Sequence, residues 1–166
     1  MEIIDPHFKK NPRPYIVQSL MALAALFVIL FFVESLTQAV IVAALGASTF
    51  VVFSMPHSIT AQPRRLVGGH IVGIIAGTGC QFIFYQTGLI AGDAPLVLTV
   101  FTYAASVAVA MFLMAATNTE HPPAAATALG MLIYDGALLA IPAIIIFAVA
   151  LALTRRALGR YLVDLF

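Results

Sequence analysis

Apolar residues in this chain come in long blocks rather than at strand-like alternation, and short stretches of Gly, Pro and polar residues divide the blocks. Six blocks stand out, at 15–33, 39–55, 66–90, 95–116, 123–134 and 137–154. Each reads as a helix that is apolar all round, the pattern of a segment whose surroundings are themselves apolar. A helix needs roughly 20 such residues to cross a bilayer. The fifth block has only 12 residues and covers about 18 Å as a helix. With the sixth it is expected to form a short hairpin bent at Asp135-Gly136, or a re-entrant half-helix. The expected fold is an all-α polytopic membrane protein of about six helical segments, four of them full spans plus this Pro-initiated hairpin.

Composition excludes a soluble globule. Of 166 residues, 62% are hydrophobic and 9% charged, and the mean hydropathy is +1.05, against about half apolar and about a quarter charged in soluble domains. The net charge of +1 leaves no basic excess for nucleic acid. Lys and Arg fall ahead of the first block (Lys9, Lys10, Arg13), between the second and third (Arg64, Arg65) and after the last (Arg155, Arg156, Arg160). The connections after the first and third blocks carry only Glu34 and Asp93. The positive-inside rule then makes both termini cytoplasmic and the number of crossings even. Residues 1–14 form a cytoplasmic lead, 15–154 a single transmembrane domain and 155–166 a basic cytoplasmic tail. The Pro-rich basic stretch before the first block suits a retained span rather than a cleaved signal, and the expected location is a prokaryotic inner membrane. Cys80 is alone, which excludes an intrachain disulfide or a cysteine-based zinc site.

Two polar loops each introduce a helix through proline. Ser54 to Arg65 carries Ser58, Thr60, Gln62, Arg64 and Arg65 around Pro63, and Gly68-Gly69-His70 follow. Proline suits the first helical turn, and the N–H groups and positive dipole end there favour an anion. The bland reading of Arg64 and Arg65 is topogenic charge among lipid head groups. The second loop, Asn118-Thr119-Glu120-His121-Pro122-Pro123, holds His121 extended just outside its helix. The two loops echo one another, as a parallel duplication of helix pairs would require. Gly69, Gly73 and Gly77 share one face of the third block, with Gly79 close behind. Ala104 and Ala108 in the fourth repeat the small-residue spacing, and Thr102 and Ser106 offer interhelical hydrogen bonds; packing is the expected role of all of these. The four histidines include no i, i+4 ligand pair, so neither metal nor cofactor is expected. No nucleophile elbow, phosphate loop or paired carboxylate points to an enzyme.

The motifs Ala47-Ser48 through Phe53, Pro56, Ala61-Gln62-Pro63-Arg64, Gly68-Gly69-His70 and Gly77, followed by His121-Pro122-Pro123-Ala124, resemble the HPP family of integral membrane proteins over roughly residues 10 to 155. The resemblance implies four membrane helices, and nitrite transport of the kind associated with plastid members. Ala125 departs from the family pattern, in which Gly commonly follows the first Ala after the tripeptide.

These features lead to an expected transporter or channel for a small inorganic anion, nitrite or nitrate. Arg64 and Arg65 would attract the anion, Ser58, Thr60, Gln62, Thr119 and backbone N–H groups would replace its water, and His70 or His121 would carry a proton. Glu120 joins that candidate site. Pro63, Gly68, Gly69, Gly73, Gly77, Pro122 and Pro123 are its structural frame. Partners are the lipid bilayer and further copies of the chain in a homo-oligomer. The alternative is a non-transporting scaffold or assembly subunit that docks a partner helix on its glycine face.

Overall fold

A computed structural model describes residues 6–32, 39–88, 95–134 and 137–165. Glu34, Asp93 and the expected bend at Asp135-Gly136 lie outside the described residues. Among those described every regular element is helical: α1 (Pro6–Lys10), α2 (Arg13–Phe32), α3 (Ala39–Ser54), α4 (Pro63–Gln86), α5 (Leu96–Thr117), α6 (Pro122–Ile133) and α7 (Ile141–Leu158), with short 3-10 turns at Ile59–Ala61, Ala137–Ala140 and Gly159–Tyr161. Pro63–Phe84, Leu96–Thr117 and Leu138–Tyr161 are long and apolar enough to cross a membrane, while Arg13–Val28, Ala39–Ser54 and Pro122–Ile133 are shorter apolar helices. The last helix runs beyond the expected boundary at 154, and Arg155 and Arg156 lie in its final turn, where cations suit the dipole.

Helix α4 is the axis of the bundle, touching α5, α6 and α7, while α6 lies between α3, α4 and α5. The glycine spacing explains the closest of these contacts. A Cβ built at Gly69 would come within 2.6 Å of the His121 Cβ, one at Gly73 within 2.5 Å of the Ala124 carbonyl oxygen, and one at Gly77 within 2.3 Å of the Ala128 carbonyl oxygen. Glycine is therefore required at each of the three, so that the α4 and α6 backbones can meet. Gly79 stands in open space. On α5 the expected small-residue face is corrected: Ala104 and Ala108 are exposed, and the buried stripe is Thr102, Ser106, Ala110 and Met114. Ser106 Oγ donates to the Ala128 carbonyl at 3.2 Å, joining α5 to α6. Thr102 instead bonds within its own helix, to the Thr99 carbonyl at 2.8 Å. The larger apolar core, including Ile41, Leu45, Phe53, Leu66, Met131, Ile144, Phe147 and Leu151, lies between α3, α4, α6 and α7.

The path into α6 is irregular. Helix α5 ends in a left-handed residue, Asn118 (φ 56°, ψ 46°), with Thr119 N–H bonded to the Met114 carbonyl at 2.9 Å and Asn118 N–H to the Ala115 carbonyl at 3.3 Å, the Schellman arrangement. Residues 119–121 then follow a non-helical path across the second turn of α4: Thr119 packs on Gly68, and the extended His121 (φ −135°, ψ 97°) on Gly69. Irregular backbone is tolerated inside a membrane protein only where protein or water surrounds it, and Thr119 and His121 are buried.

Candidate functional site

The site starts from polar residues that the helices bury. Ser48 on α3, His70 and Arg65 on α4, and Thr127 on α6 are all buried, with His121 just ahead of α6. Ser48, His70, His121 and Thr127 have 0% exposure, so each polar atom must find its partner within the bundle. Ser48 Oγ lies 3.0 Å from His70 Nε2 and 2.9 Å from His121 Nε2, and also 2.9 Å from the Ala44 carbonyl oxygen one turn back. His70 Nδ1 is 2.9 Å from Thr127 Oγ1, and His121 Nδ1 is 2.9 Å from the Thr60 carbonyl oxygen. The two imidazole rings are 5.3 Å apart between centroids and inclined at 59°.

Proline makes the last of these bonds possible. In the 3-10 turn before α4, Ala61 N–H closes on Ser58 O and Gln62 N–H on Ile59 O. The next N–H in that series would close on Thr60 O, but it falls at Pro63, which has none. The Thr60 carbonyl is thereby left for His121.

Toward the end of the bundle, Arg65 forms an ion pair with Glu120 and donates a second hydrogen bond to the Asn118 side-chain oxygen. The Arg65 side chain is 11% exposed and that of Glu120 44%. Arg64 turns outward, with a 3.4 Å contact to the Thr117 carbonyl. A cavity of about 310 Å³ lined by Met111, Met114, Ala115, Glu120, His121, Pro122 and Ala125 lies alongside this pair. Glu120 and His121 are its two ionisable lining residues.

Of the sequence-predicted residues, the structure brings together His70, His121 and the Thr60 backbone, and separately Arg65 with Glu120. Thr119 bonds Thr117 at 2.8 Å and Ser58 bonds Thr60 Oγ1 at 3.0 Å, both through hydroxyls outside the histidine cluster. The Gln62 side chain is exposed, and its carbonyl accepts from the Arg65 and Leu66 N–H groups at 2.9 Å. The expected backbone anion sites are corrected. Pro122 and Pro123 supply no N–H to the start of α6, and Ala124 N–H is spent on the His121 carbonyl at 2.9 Å. In α4, Pro63 has none and the Arg65 and Leu66 N–H groups are already bonded. The helix starts shape the backbone here and contribute little as donors.

Sequence reasoning missed Ser48 and Thr127 as site residues. Ser48 had a signal, since Ser48 and Thr49 interrupt an otherwise apolar stretch of α3. Thr127 had none beyond lying four residues after Pro123. The two loops that echo one another in sequence are not equivalent: His57 is exposed and lies 3.4 Å from Asp164, whereas His121 is buried.

The profile of the HPP transmembrane region matches residues 7–161, nearly the whole chain. A transmembrane protein of Dictyostelium discoideum is 32% identical over 90 residues, which is 54% of this chain and 29% of that protein. The chain thus spans less than a third of that relative's length. No solved structure matches. With its His-Pro-Pro tripeptide at the head of α6 and its bundle of apolar helices, the chain belongs to the HPP family of integral membrane proteins.

Proposed function

We propose that this protein transports a small inorganic monoanion, nitrite first and nitrate second, together with a proton. The observation that carries the reading is the fully buried His70–Ser48–His121 cluster at the meeting of α3, α4 and α6. Ionisable groups inside a membrane bundle are costly, and their default meaning is an ion or proton path. Two charged imidazoles 5.3 Å apart would repel by about 3 kcal/mol at an effective dielectric of about 20, so the pair suits a single proton.

Arg65 supports the anion half of the reading. Its planar guanidinium already holds a carboxylate oxygen of Glu120 and an amide oxygen of Asn118. A bent, two-oxygen anion such as nitrite matches the same fork and would compete with Glu120 for it. Arg64, exposed at the same end, supplies local positive potential. The scaffold alternative loses its docking feature, because α6 already fills the glycine face of α4. The exposed apolar side of α5, with Val97 81% and Phe112 71% exposed, is where lipid or a second copy would lie.

Flux into liposomes tests the reading. Protein-dependent nitrite uptake, increased by an inward proton gradient and lost in Arg64→Ala/Arg65→Ala, is the expected result. Folded protein that moves neither nitrite nor nitrate above empty liposomes would overturn it.

A further inference from the structure

Donor and acceptor rules fix the proton positions in the buried cluster. A carbonyl oxygen can only accept, so at 2.9 Å from Thr60 O it is His121 Nδ1 that carries hydrogen. Neutral His121 then presents a bare Nε2 to Ser48, and the Ser48 hydroxyl donates to it across 2.9 Å. The single Ser48 proton is now used. His70 Nε2, 3.0 Å away, must therefore be the donor to Ser48 Oγ, which leaves His70 Nδ1 to accept from the Thr127 hydroxyl at 2.9 Å. Any other neutral assignment sets two lone pairs or two protons against each other. The two histidines are thus opposite tautomers, held by one hydroxyl between them.

Ser48 has a second acceptor in reach, the Ala44 carbonyl at 2.9 Å. If the hydroxyl turns to that carbonyl, Ser48 Oγ presents both lone pairs to the rings and accepts N–H from each. That arrangement has room for one more hydrogen, on His121 Nε2. We propose that Ser48, His70 and His121 form a single-proton site, in which His121 Nε2 takes up the proton and rotation of the Ser48 hydroxyl from His121 to the Ala44 carbonyl admits it. The proposal deepens the proton-coupled reading above and rests on it for its role in transport, while the wiring stands on the cluster alone.

The chemistry balances without a co-reactant. The Nε2 lone pair forms one N–H bond as one O–H bond of a hydronium ion breaks and water leaves, Ser48 keeps its own proton, and no bond within the cluster breaks. Both states leave every polar atom of the cluster matched, so exchange between them costs no stranded donor. His121 and Glu120 line the same cavity, which sets a carboxylate beside the imidazole. The charged groups nearest along the chain are Arg65, ahead of His70 on α4, and Glu120, next to His121, and they are paired with each other. Helices α3 and α6 contribute no ionisable side chain. The phenol of Tyr103 lies on α5, and Arg155 and Arg156 lie in the last turn of α7.

Solid-state NMR of the full chain in lipid bilayers, with ¹⁵N-labelled histidine and assignment by single His→Gln variants, reads the site directly. The expected spectrum at alkaline pH shows hydrogen on Nδ1 of His121 and on Nε2 of His70. On acidification His121 alone of this pair gains its second N–H. Finding both rings with hydrogen on Nε2, or His70 charged first, overturns the proposal. Ser48→Ala removes the acceptor for the new N–H and is expected to lower the ratio of doubly to singly protonated His121 roughly tenfold at the wild-type midpoint, because bonds to a charged group are about twice as strong as neutral ones. Ser48→Thr keeps a hydroxyl and is expected to retain the site; equal behaviour of the two variants would remove Ser48 from it. If Ser48→Ala does not fold, the wild-type spectrum still decides. Absence of nitrite flux would sink the transport reading and leave the tautomers as measured.

Discussion

At the scale of single residues, the cluster shows how far one polar atom governs its neighbours. Thr127 is fully buried and its hydroxyl is the partner of His70 Nδ1. Thr127→Val keeps nearly the same shape but leaves that nitrogen with no donor, and an unsatisfied buried acceptor costs about 1–3 kcal/mol. The expected result is a loss of that size in reversible unfolding from lipid or detergent, with Thr127→Ser losing much less. The Arg65–Glu120 pair predicts differently. Glu120 is 44% exposed on its side chain, so solvent screening weakens the pair, and a double-mutant cycle with Arg65→Gln and Glu120→Gln is expected to show a coupling of about 1 kcal/mol or less. The Asn118 contact keeps Arg65 partly satisfied in Glu120→Gln. A coupling of several kcal/mol would mean that the pair is sealed from water.

At the scale of elements, the α4–α6 crossing makes a graded prediction. Gly77→Ala would set a Cβ 2.3 Å from a backbone oxygen of α6, which cannot move without moving the helix, and overpacking of this kind costs about 1–3 kcal/mol. Gly130→Ala meets the Ile41 side chain at 2.7 Å, where a rotamer change can absorb the clash. Gly79→Ala meets nothing within 4 Å and is expected to be neutral or to stabilise by up to about 1 kcal/mol through helix propensity. Unfolding midpoints that rank the three in any other order would contradict the crossing. This element was legible in advance, because glycines four apart can only mean a shared face. Six apolar helical segments, with α6 the shortest of them, were legible from block length, but of the four full spans expected only three described helices are long and apolar enough to cross a membrane. The face of α5 was not, since Ala104 and Ala108 have the spacing of a packing stripe but an all-apolar helix carries no mark of which side is covered. Nor was Ser48's role, because a lone hydroxyl in an apolar block bonds equally well to its own helix, and only the fold brings two histidines to it. The depth of His121 likewise depended on the non-helical path of residues 119–121, which no local pattern specifies.

At the scale of the whole molecule, one end of the bundle gathers most of the long-range polar contacts among the described residues. The start of α2, the end of α3, the start of α4, the end of α5 and the segment after α7 meet there. Tyr15 OH donates to the Leu165 carbonyl at 2.5 Å, Leu165 N–H to the Ser54 carbonyl at 3.0 Å, and Arg155 to the Pro56 carbonyl at 2.8 Å. Arg13, Arg64, Arg65 and Arg155 thus lie at the same end of the bundle. Gln18 ties this end together: its amide donates to the Phe53 carbonyl at 2.5 Å and the Val163 carbonyl at 2.8 Å, and accepts from Val163 N–H at 2.8 Å, with only 2% of the residue exposed. Gln18→Ala would strand two carbonyls and an N–H at once. Summing partial losses of this kind gives a destabilisation on the order of 3 kcal/mol if the tail stays in place. Residues 162–165 are also held by Tyr15, Ser54, His57 and the burial of Leu162 and Leu165, but water can satisfy their backbone once they detach, and no helix has to open for it. Detachment should therefore come first. Hydrogen exchange on Gln18→Ala is expected to show fast amides at Val163 and Leu165 with protection in α4 and α6 unchanged, and with the histidine tautomers as in the parent chain. Exchange that rises throughout the bundle would instead make Gln18 a support of the α2–α3 packing itself, since the helices that α2 chiefly packs on are α3 and α7.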